Sequence, residues 1–282
     1  MILIDGKKTA AELREELKQE VSKLKTKYNK VPGLTVILIG DMAPSQIYVR
    51  MKEKAANEVG LKSEVIKYPE SVEEKIVLDK IDELNKDDKI SGILVQLPLP
   101  KHIDKRKVIE TIDHKKDVDG FHPVNAGLLF QGEQKFIACT PHGIIKMLEF
   151  YNIDIQGKNA VVLGRSNIVG KPASMLLLQK HATVTICHSR TKNLQEILKE
   201  ADIIVAAIGR AHFVTKDMVK KGAVVIDVGI NRLDTGKLAG DVDFENVKDL
   251  CSHITPVPGG VGPMTITMLL WNTVMSLEDS IG

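Results

Sequence analysis

The stretch from Gly157 to Leu178, GKNAVVLGRSNIVGKPASMLLL, restricts the fold more than any other part of the chain. An apolar run from Ala160 to Leu163 stops at Gly164, a short polar loop follows, and helix-forming residues resume at Gly170, Lys171 and Pro172. The pattern predicts strand, glycine turn and helix. At such a turn in an open α/β sheet the backbone approaches a pyrophosphate closely, and the free amides of the helix N-terminus attract its charge. A dinucleotide is the expected ligand, with Gly164, Arg165 and Ser166 as the candidate turn residues. The spacing is not G-x-G-x-x-G, because Gly164 and Gly170 enclose RSNIV. Nor is it G-x-x-x-x-G-K-[ST]: there is one residue too many, and Pro172 stands where a hydroxyl would meet magnesium, so phosphoryl transfer is disfavoured. An ordinary tight turn is the plain alternative.

The remaining chain keeps an α/β rhythm. After a short strand ending at Asp5 and Gly6, Leu13, Leu17, Val21, Leu24 and Tyr28 recur at helical spacing, and Pro32 and Gly33 stop the helix. Leu34 to Gly40 is a continuous apolar run, as a strand covered on both faces requires. A helix with Ser45 as N-cap and Gly60 as its C′ residue is expected next, then a strand over 61–67, a helix over 71–84 and a strand over 90–97. Lys115 to Gly127 reads as a loop, followed by a helix opening at Thr140 and Pro141. Further buried strands end in glycine at ADIIVAAIG and GAVVIDVGI, and an apolar helix over 264–275 is expected to pack back on the first domain. The expected fold is two α/β domains, the second a Rossmann-like parallel-sheet domain over 139–263, the first spanning 1–138 and completed by 264–282.

A chain of 282 residues with 43% hydrophobic content is long enough for two such cores. Its net charge of +2 comes from interleaved Lys, Arg, Asp and Glu, so nothing points to nucleic acid or an anionic membrane. No apolar run approaches the roughly 18 residues that span a bilayer, and the N-terminus lacks a signal-peptide pattern. Cys139, Cys187 and Cys251 are far apart and odd in number, which suits reduced thiols in a cytoplasm. Scattered histidines without C-x-x-C or H-x-x-x-H spacing make a metal site unexpected. The paired aspartates of GDVDF are read as an exposed turn.

Polar residues on otherwise apolar patterns mark candidate chemistry. Lys52 shares a helical stripe with Tyr48, Ala55 and Val59. It is either a snorkelling lysine or one held in a cleft, where desolvation makes an ammonium a readier proton donor. Gln96 interrupts an apolar run just before Pro98 and Pro100, at the strand end where ligands bind in open α/β sheets. Its alternative role is to satisfy loop backbone. Asp117 and Asp119 are either turn formers or carboxylates for paired N–H donors. At the end of the second strand of the dinucleotide unit, His188, Ser189 and Arg190 supply hydroxyl and charge where NAD-preferring sites place an acid. With Arg165, they favour a 2′-phosphate and hence NADP over NAD.

Taken in order, IYVRMKEKA, GILVQLPLP, KKDVDGFHPVNAG, ACTPHG, VVLGRSNIVGKP, CHSRT, VIDVGINR, GDVDF and TPVPGGVGPMT closely resemble the bifunctional methylenetetrahydrofolate dehydrogenase / methenyltetrahydrofolate cyclohydrolase family over nearly the whole chain. The resemblance implies that Lys52 is the catalytic lysine, that Tyr48 positions the folate, that Gln96 tunes the lysine and that Asp119 anchors the pterin. It also implies a cofactor contact at Ile230, a folate cleft lined by Pro258, Gly259 and Gly260, and a homodimer paired through the cofactor domain. Ala138 and His212 stand where the family frequently has proline. The expected activity is NADP-dependent oxidation of 5,10-methylenetetrahydrofolate followed by hydrolysis to 10-formyltetrahydrofolate, without metal. A dehydrogenase lacking the hydrolytic step and a nucleotide-sensing protein without turnover are the alternatives, and the polar set at Tyr48, Lys52 and Gln96 argues against both.

Overall fold

A computed structural model describes residues 1–281. In chain order it contains β1 (Ile2–Leu3), α1 (Gly6–Tyr28), β2 (Gly33–Ile39), α2 (Ala43–Val59), β3 (Lys62–Tyr68), α3 (Glu74–Lys86), β4 (Gly92–Val95), α4 (Lys105–Thr111), α5 (Pro123–Gln131) and α6 (Cys139–Phe150). It continues with β5 (Asn159–Leu163), α7 (Gly170–Gln179), β6 (Thr183–Cys187), α8 (Leu194–Lys199), β7 (Ile203–Ala206), β8 (Val224–Asp227), β9 (Asn231–Arg232), β10 (Leu238–Ala239), α9 (Phe244–Val247), β11 (His253–Ile254) and α10 (Val261–Ile281). These elements form two compact units, one of Met1–Ala11 with Thr140–Thr265, the other of Glu12–Cys139 with the chain from Ile266 onward.

In the Glu12–Cys139 unit a parallel sheet runs in the order β3-β2-β4. Its middle strand, GLTVILI, is buried at every position, which is why its sequence lacks alternation. The edge strand β3 shows exposed Lys62, Glu64 and Lys67 instead. Val77, Ile81 and Leu84 recur at i, i+4 and i+7 along α3 and pack with Ile37, Ile93, Val95 and Val108. Residues of α10 complete this unit. Asn272 Nδ2 donates to the carbonyls of Val118 and Ile137, and Ser276 Oγ donates to those of Ser91 and Lys115. The expected return of the C-terminal helix is therefore held by specific hydrogen bonds.

The second unit carries a six-stranded sheet in the order β1-β11-β8-β7-β5-β6, parallel throughout. The strand after β5 lies on one side of it and β7 on the other, so the chain order reverses at β5. Ligands of open α/β sheets bind at the carboxyl ends of the strands beside such a reversal. The first residues of the chain also belong here. Ile2 N–H donates to Ser252 O and Ile4 N–H to Ile254 O, and Asp5 then receives the amides of Lys7 and Lys8 at the start of α1. By contacts, Met1–Ala11 thus groups with the sheet around β5 and not with residues 12–138.

Several local expectations shift. Residues 123–127, read as loop, open the helix α5, because Pro123 suits a first helical turn and His122 Nδ1 receives the Val124 amide. α2 begins at Ala43, so Ser45 lies inside its first turn and caps nothing, whereas Gly60 ends the helix in the left-handed region at φ +85°. α6 starts at Cys139, one residue before the expected cap, and α10 extends to both sides of 264–275. The strand expected over 90–97 is the shorter β4, since Gln96 and Leu97 already turn toward Pro98. Among the described residues no helix is long and apolar enough to cross a membrane.

Candidate active site

Tyr48 and Lys52 lie one turn apart on α2. Lys52 is only 7% exposed, on the face that also buries Ser45, Val49, Ala55 and Ala56. A cationic group so placed requires a polar partner. Gln96 provides it: its Oε1 accepts from Lys52 Nζ at 3.0 Å. Gln96 immediately follows β4, and its own amide continues the ladder to Ile37 O. Its Nε2 donates to Leu97 O at 2.7 Å, which fixes the carbonyl end of the side chain toward the lysine. Tyr48 is half-buried, and burial pushes its hydroxyl above the usual phenol range.

The two aspartates of KKDVDG have different tasks. Asp117 is a turn former whose carboxylate receives the amides of Phe121 and His122 and Asn125 Nδ2. Asp119 has a carboxyl pushed up to about 6 by burial, against the opposing pull of the nearby Lys52 charge. Beside it lies Cys139, whose Sγ is 3.9 Å from Asp119 Oδ1 and donates to Val118 O at 3.3 Å. Burial and the Asp119 charge hold that thiol well above its ordinary range, so it is a neutral neighbour of Asp119. Gly120, at φ +71°, lets this loop lie against Ile137 and Ala138: an added Cβ would stand 2.4 Å from Ala138 N. Ala138 is buried in that contact.

The nucleotide turn is built as its sequence suggests. Gly164 has φ +124°, and a Cβ there would come within 2.3 Å of Ala207 O. A Cβ on Gly170 would meet Gly164 O at 2.2 Å, so strand end, turn and helix start pack with backbone in contact. Ser166 Oγ receives the amides of Val169 and Gly170 and shapes the entry to α7. Arg165, Ser166, Ser189 and Arg190 are exposed, with no acidic side chain among residues 187–192 at the end of β6. This edge fits a dinucleotide with a 2′-phosphate: the glycines admit a pyrophosphate and the arginines match the extra charge.

Ile230 is exposed just beyond β8. Pro258, Gly259 and Gly260 belong to the same unit, where Gly259 O receives the Lys7 amide and Gly260 O lies so near Gly6 that a Cβ there would be 1.8 Å away. His212, at φ +54°, donates its amide to Gly240 O. A proline could supply neither that φ nor that N–H, so this loop has a geometry suited to the residue present.

One expectation is overturned. GDVDF is not an exposed turn, because Asp241 is fully buried and accepts the amides of Ile208, Gly209 and Arg210 and Asn231 Nδ2. Spacing between aspartates carries no information about burial; the glycine at 240, immediately before Asp241, was the available signal of close packing. Sequence reasoning also missed Cys139 beside Asp119 and Asn272, which bonds the carbonyls of Val118 and Ile137, since neither stands out from an apolar pattern. Among the described residues no three His, Cys, Asp or Glu side chains gather as a metal site.

Two sequence models match: "Tetrahydrofolate dehydrogenase/cyclohydrolase, catalytic domain" over residues 4–119, and "Tetrahydrofolate dehydrogenase/cyclohydrolase, NAD(P)-binding domain" over 138–281. The chain belongs to this family. It is 66% identical over 280 residues to the bifunctional protein FolD of Pelagibacter ubique, covering 99% of both chains, and 58% identical to that of Bacillus cytotoxicus, covering 98% and 96%. Among solved structures, FolD methylenetetrahydrofolate dehydrogenase/cyclohydrolase from Campylobacter jejuni superimposes with a TM-score of 0.97 at 51% identity, with 99% of each chain covered. The Trypanosoma brucei enzyme, complexed with NADP and an inhibitor, gives a TM-score of 0.96 at 38% identity, covering 100% of this chain and 98% of that one. The protein is a bifunctional folate dehydrogenase and cyclohydrolase with an NAD(P)-binding domain, and the dehydrogenase-only alternative is set aside.

Proposed function

We propose that Tyr48, Lys52, Gln96 and Asp119 bind and process the folate, and that Gly164, Arg165, Ser166, Ser189, Arg190 and Ile230 hold the cofactor. The hydrogen bond between Lys52 and Gln96 carries this reading, because it keeps a buried lysine in one orientation with further N–H donors still directed elsewhere. Bound NADP supplies the hydride acceptor. The bridging carbon of 5,10-methylenetetrahydrofolate lies between two nitrogens whose lone pairs stabilise positive charge on it, so the protein's part in oxidation is alignment. Asp119 fits paired N–H donors of the pterin, and Tyr48 flanks the ring. Hydrolysis adds water to the methenyl carbon and opens the ring to 10-formyltetrahydrofolate, which requires proton transfers at nitrogen and oxygen. Lys52 Nζ performs them while Gln96 restrains it. Pro258, Gly259 and Gly260 contribute to folate binding in this reading, with residues 12–139 and the chain from Ile266 onward as the folate domain and residues 1–11 with 140–265 as the NADP domain. Following absorbance of the methenyl product as it forms and decays, in the presence of NADP, tests both steps on one sample.

A preference for NADP over NAD follows from the cationic side chains after β5 and β6 and the lack of an acid after β6. Arg165→Ala or Arg190→Ala should lower kcat/KM with NADP by about tenfold while changing that with NAD by less than twofold, as expected for losing one charged hydrogen-bond donor to a 2′-phosphate. Equal efficiency with both cofactors in the unmodified protein would overturn the assignment.

The reading includes a homodimer paired through the cofactor domain. β6 is one edge strand of its sheet, and Ile186 on it and Leu178 on the adjoining α7 are 38% and 53% exposed. An unpaired strand edge with apolar side chains is suited to a second copy. Sedimentation should give a dimer that Ile186→Lys converts to monomer; a monomeric parent would refute the pairing. A cytoplasmic setting is supported by three cysteines that are free and buried.

A further inference from the structure

Two buried carboxylates have no part in the chemistry above. Asp227 ends β8 and Asp241 lies in the segment between β10 and α9; both are essentially shielded from solvent. Asp241 Oδ2 accepts from the amides of Ile208 and Gly209 at 2.6 and 3.0 Å, and its Oδ1 accepts from the Arg210 amide at 2.8 Å and from Asn231 Nδ2 at 2.9 Å. A single carboxylate thus gathers three successive amides of the loop after β7 and the side chain of Asn231, which opens β9 directly after the β8 loop. Asp227 in turn holds Asp241: its Oδ1 receives the amides of Asp241 and Gly229, and its Oδ2 that of Val242. Space for this arrangement exists only because residues 229 and 240 are glycine. A Cβ at Gly229 would lie 2.3 Å from Asp241 Oδ1, and one at Gly240 would lie 1.8 Å from Asp227 Oδ2.

Burying a charged group away from water is costly unless its acceptor sites are filled. Here they are filled by the backbone of two loops at the carboxyl edge of the sheet. The loop after β7 also touches the nucleotide turn, since Ala207 O faces Gly164. In a dinucleotide fold the mononucleotide unit bearing the glycine turn takes the adenosine half, and the neighbouring unit takes the other nucleotide. In this sheet β5 and β6 form the first unit, and β7 and β8 the second.

We infer that Asp241 is a positioning residue for the nicotinamide half of the cofactor: it fixes the loops after β7 and β8 in the shape that receives that nucleotide. The inference rests on NADP binding at this edge of the sheet. Asp227 supports it by orienting Asp241, and neither acid touches the reacting atoms.

The test separates the two halves of the cofactor. Dissociation constants for NADP and for adenosine 2′,5′-bisphosphate, which lacks the nicotinamide nucleotide, are measured on the full chain and on Asp241→Asn, with folding followed by thermal melt. The substituted amide turns N–H groups toward backbone donors, so NADP affinity should fall about tenfold or more, while adenosine 2′,5′-bisphosphate affinity stays within about twofold. Proportional loss of both ligands, or loss of neither, overturns the inference. If Asp241→Asn does not fold, Asn231→Ala decides: it releases the β8 loop from Asp241 but leaves the carboxylate its backbone donors. The ratio of the two affinities should then shift about threefold in the same sense, and an unchanged ratio overturns the inference. Failure of the unmodified protein to bind adenosine 2′,5′-bisphosphate would instead strike at the cofactor site itself.

Discussion

Lys52→Met should lower the cyclohydrolase rate by about 10²-fold or more, the usual contribution of a general acid or base, while part of the dehydrogenase activity persists. Methionine is close to lysine in length and lacks the proton-transfer group, and position 52 shares the buried face of α2 with Val49, Ala55 and Ala56. The variant should therefore fold. Hydride loss from the methylene bridge is assisted by the folate's own nitrogens, so the dehydrogenase defect should be smaller and arise from lost positioning. Gln96 would keep its bond to Leu97 O but lose the lysine it accepts from. Both rates are measured on one preparation, alongside a thermal melt. Equal proportional losses in a folded variant would mean that Lys52 only places the substrate.

Asp119→Ala should damage both reactions and leave NADP binding unchanged. Losing a charge-assisted pair to the pterin costs roughly 1.5 to 3 kcal/mol, which corresponds to about 10- to 150-fold in folate affinity. A fall in NADP affinity with folate affinity intact would refute the assignment. The carboxyl sits at about 6 in the folded protein because burial disfavours its charge. If the charged form binds the pterin, folate affinity should decline as pH falls through about 6, and this dependence should disappear in the alanine variant.

Stability should move the other way. An unfolded aspartate has a pKa of about 3.9, so between roughly pH 4 and 6 the folded state holds more proton at Asp119 than the unfolded state does. The group's contribution to stability therefore falls as pH rises through that window and is least favourable above it. Asp119→Asn removes the buried charge without changing the side chain's size. It should melt higher than the parent at pH 7.5, with the difference shrinking toward pH 4. A lower melting temperature at both pH values would show that Cys139 and the nearby Lys52 compensate the charge more fully than burial penalises it.

Much of this protein was legible from local pattern because local physics decided it. An apolar run at 34–39 has few uses other than a strand covered on both faces, and glycines at 164 and 170 reflect backbone contacts that admit no Cβ. Helical spacing placed Tyr48 and Lys52 on one face of α2 without reference to the rest of the chain. The missing acid after β6 could likewise be read directly, since a residue's charge is independent of its fold.

What the tertiary structure alone decided is which distant groups meet and which become buried. Gln96 reaches Lys52 across 44 positions, and Asn272 reaches Val118 across 154. The edge strand β1 joins β11, at the far end of the chain, because unpaired backbone amides there find carbonyls at Ser252 and Ile254. Asp117 and Asp119 stand two residues apart in similar local sequence, yet the first closes a turn and burial pushes the carboxyl of the second up to about 6. Asp241 shows the limit most plainly. As sequence it is an aspartate beside a glycine, the ordinary composition of a solvated turn, and its burial depends on amides contributed by residues 208–210. Propensity and periodicity describe a residue's neighbours along the chain, whereas desolvation and hydrogen-bond satisfaction are set by neighbours in space.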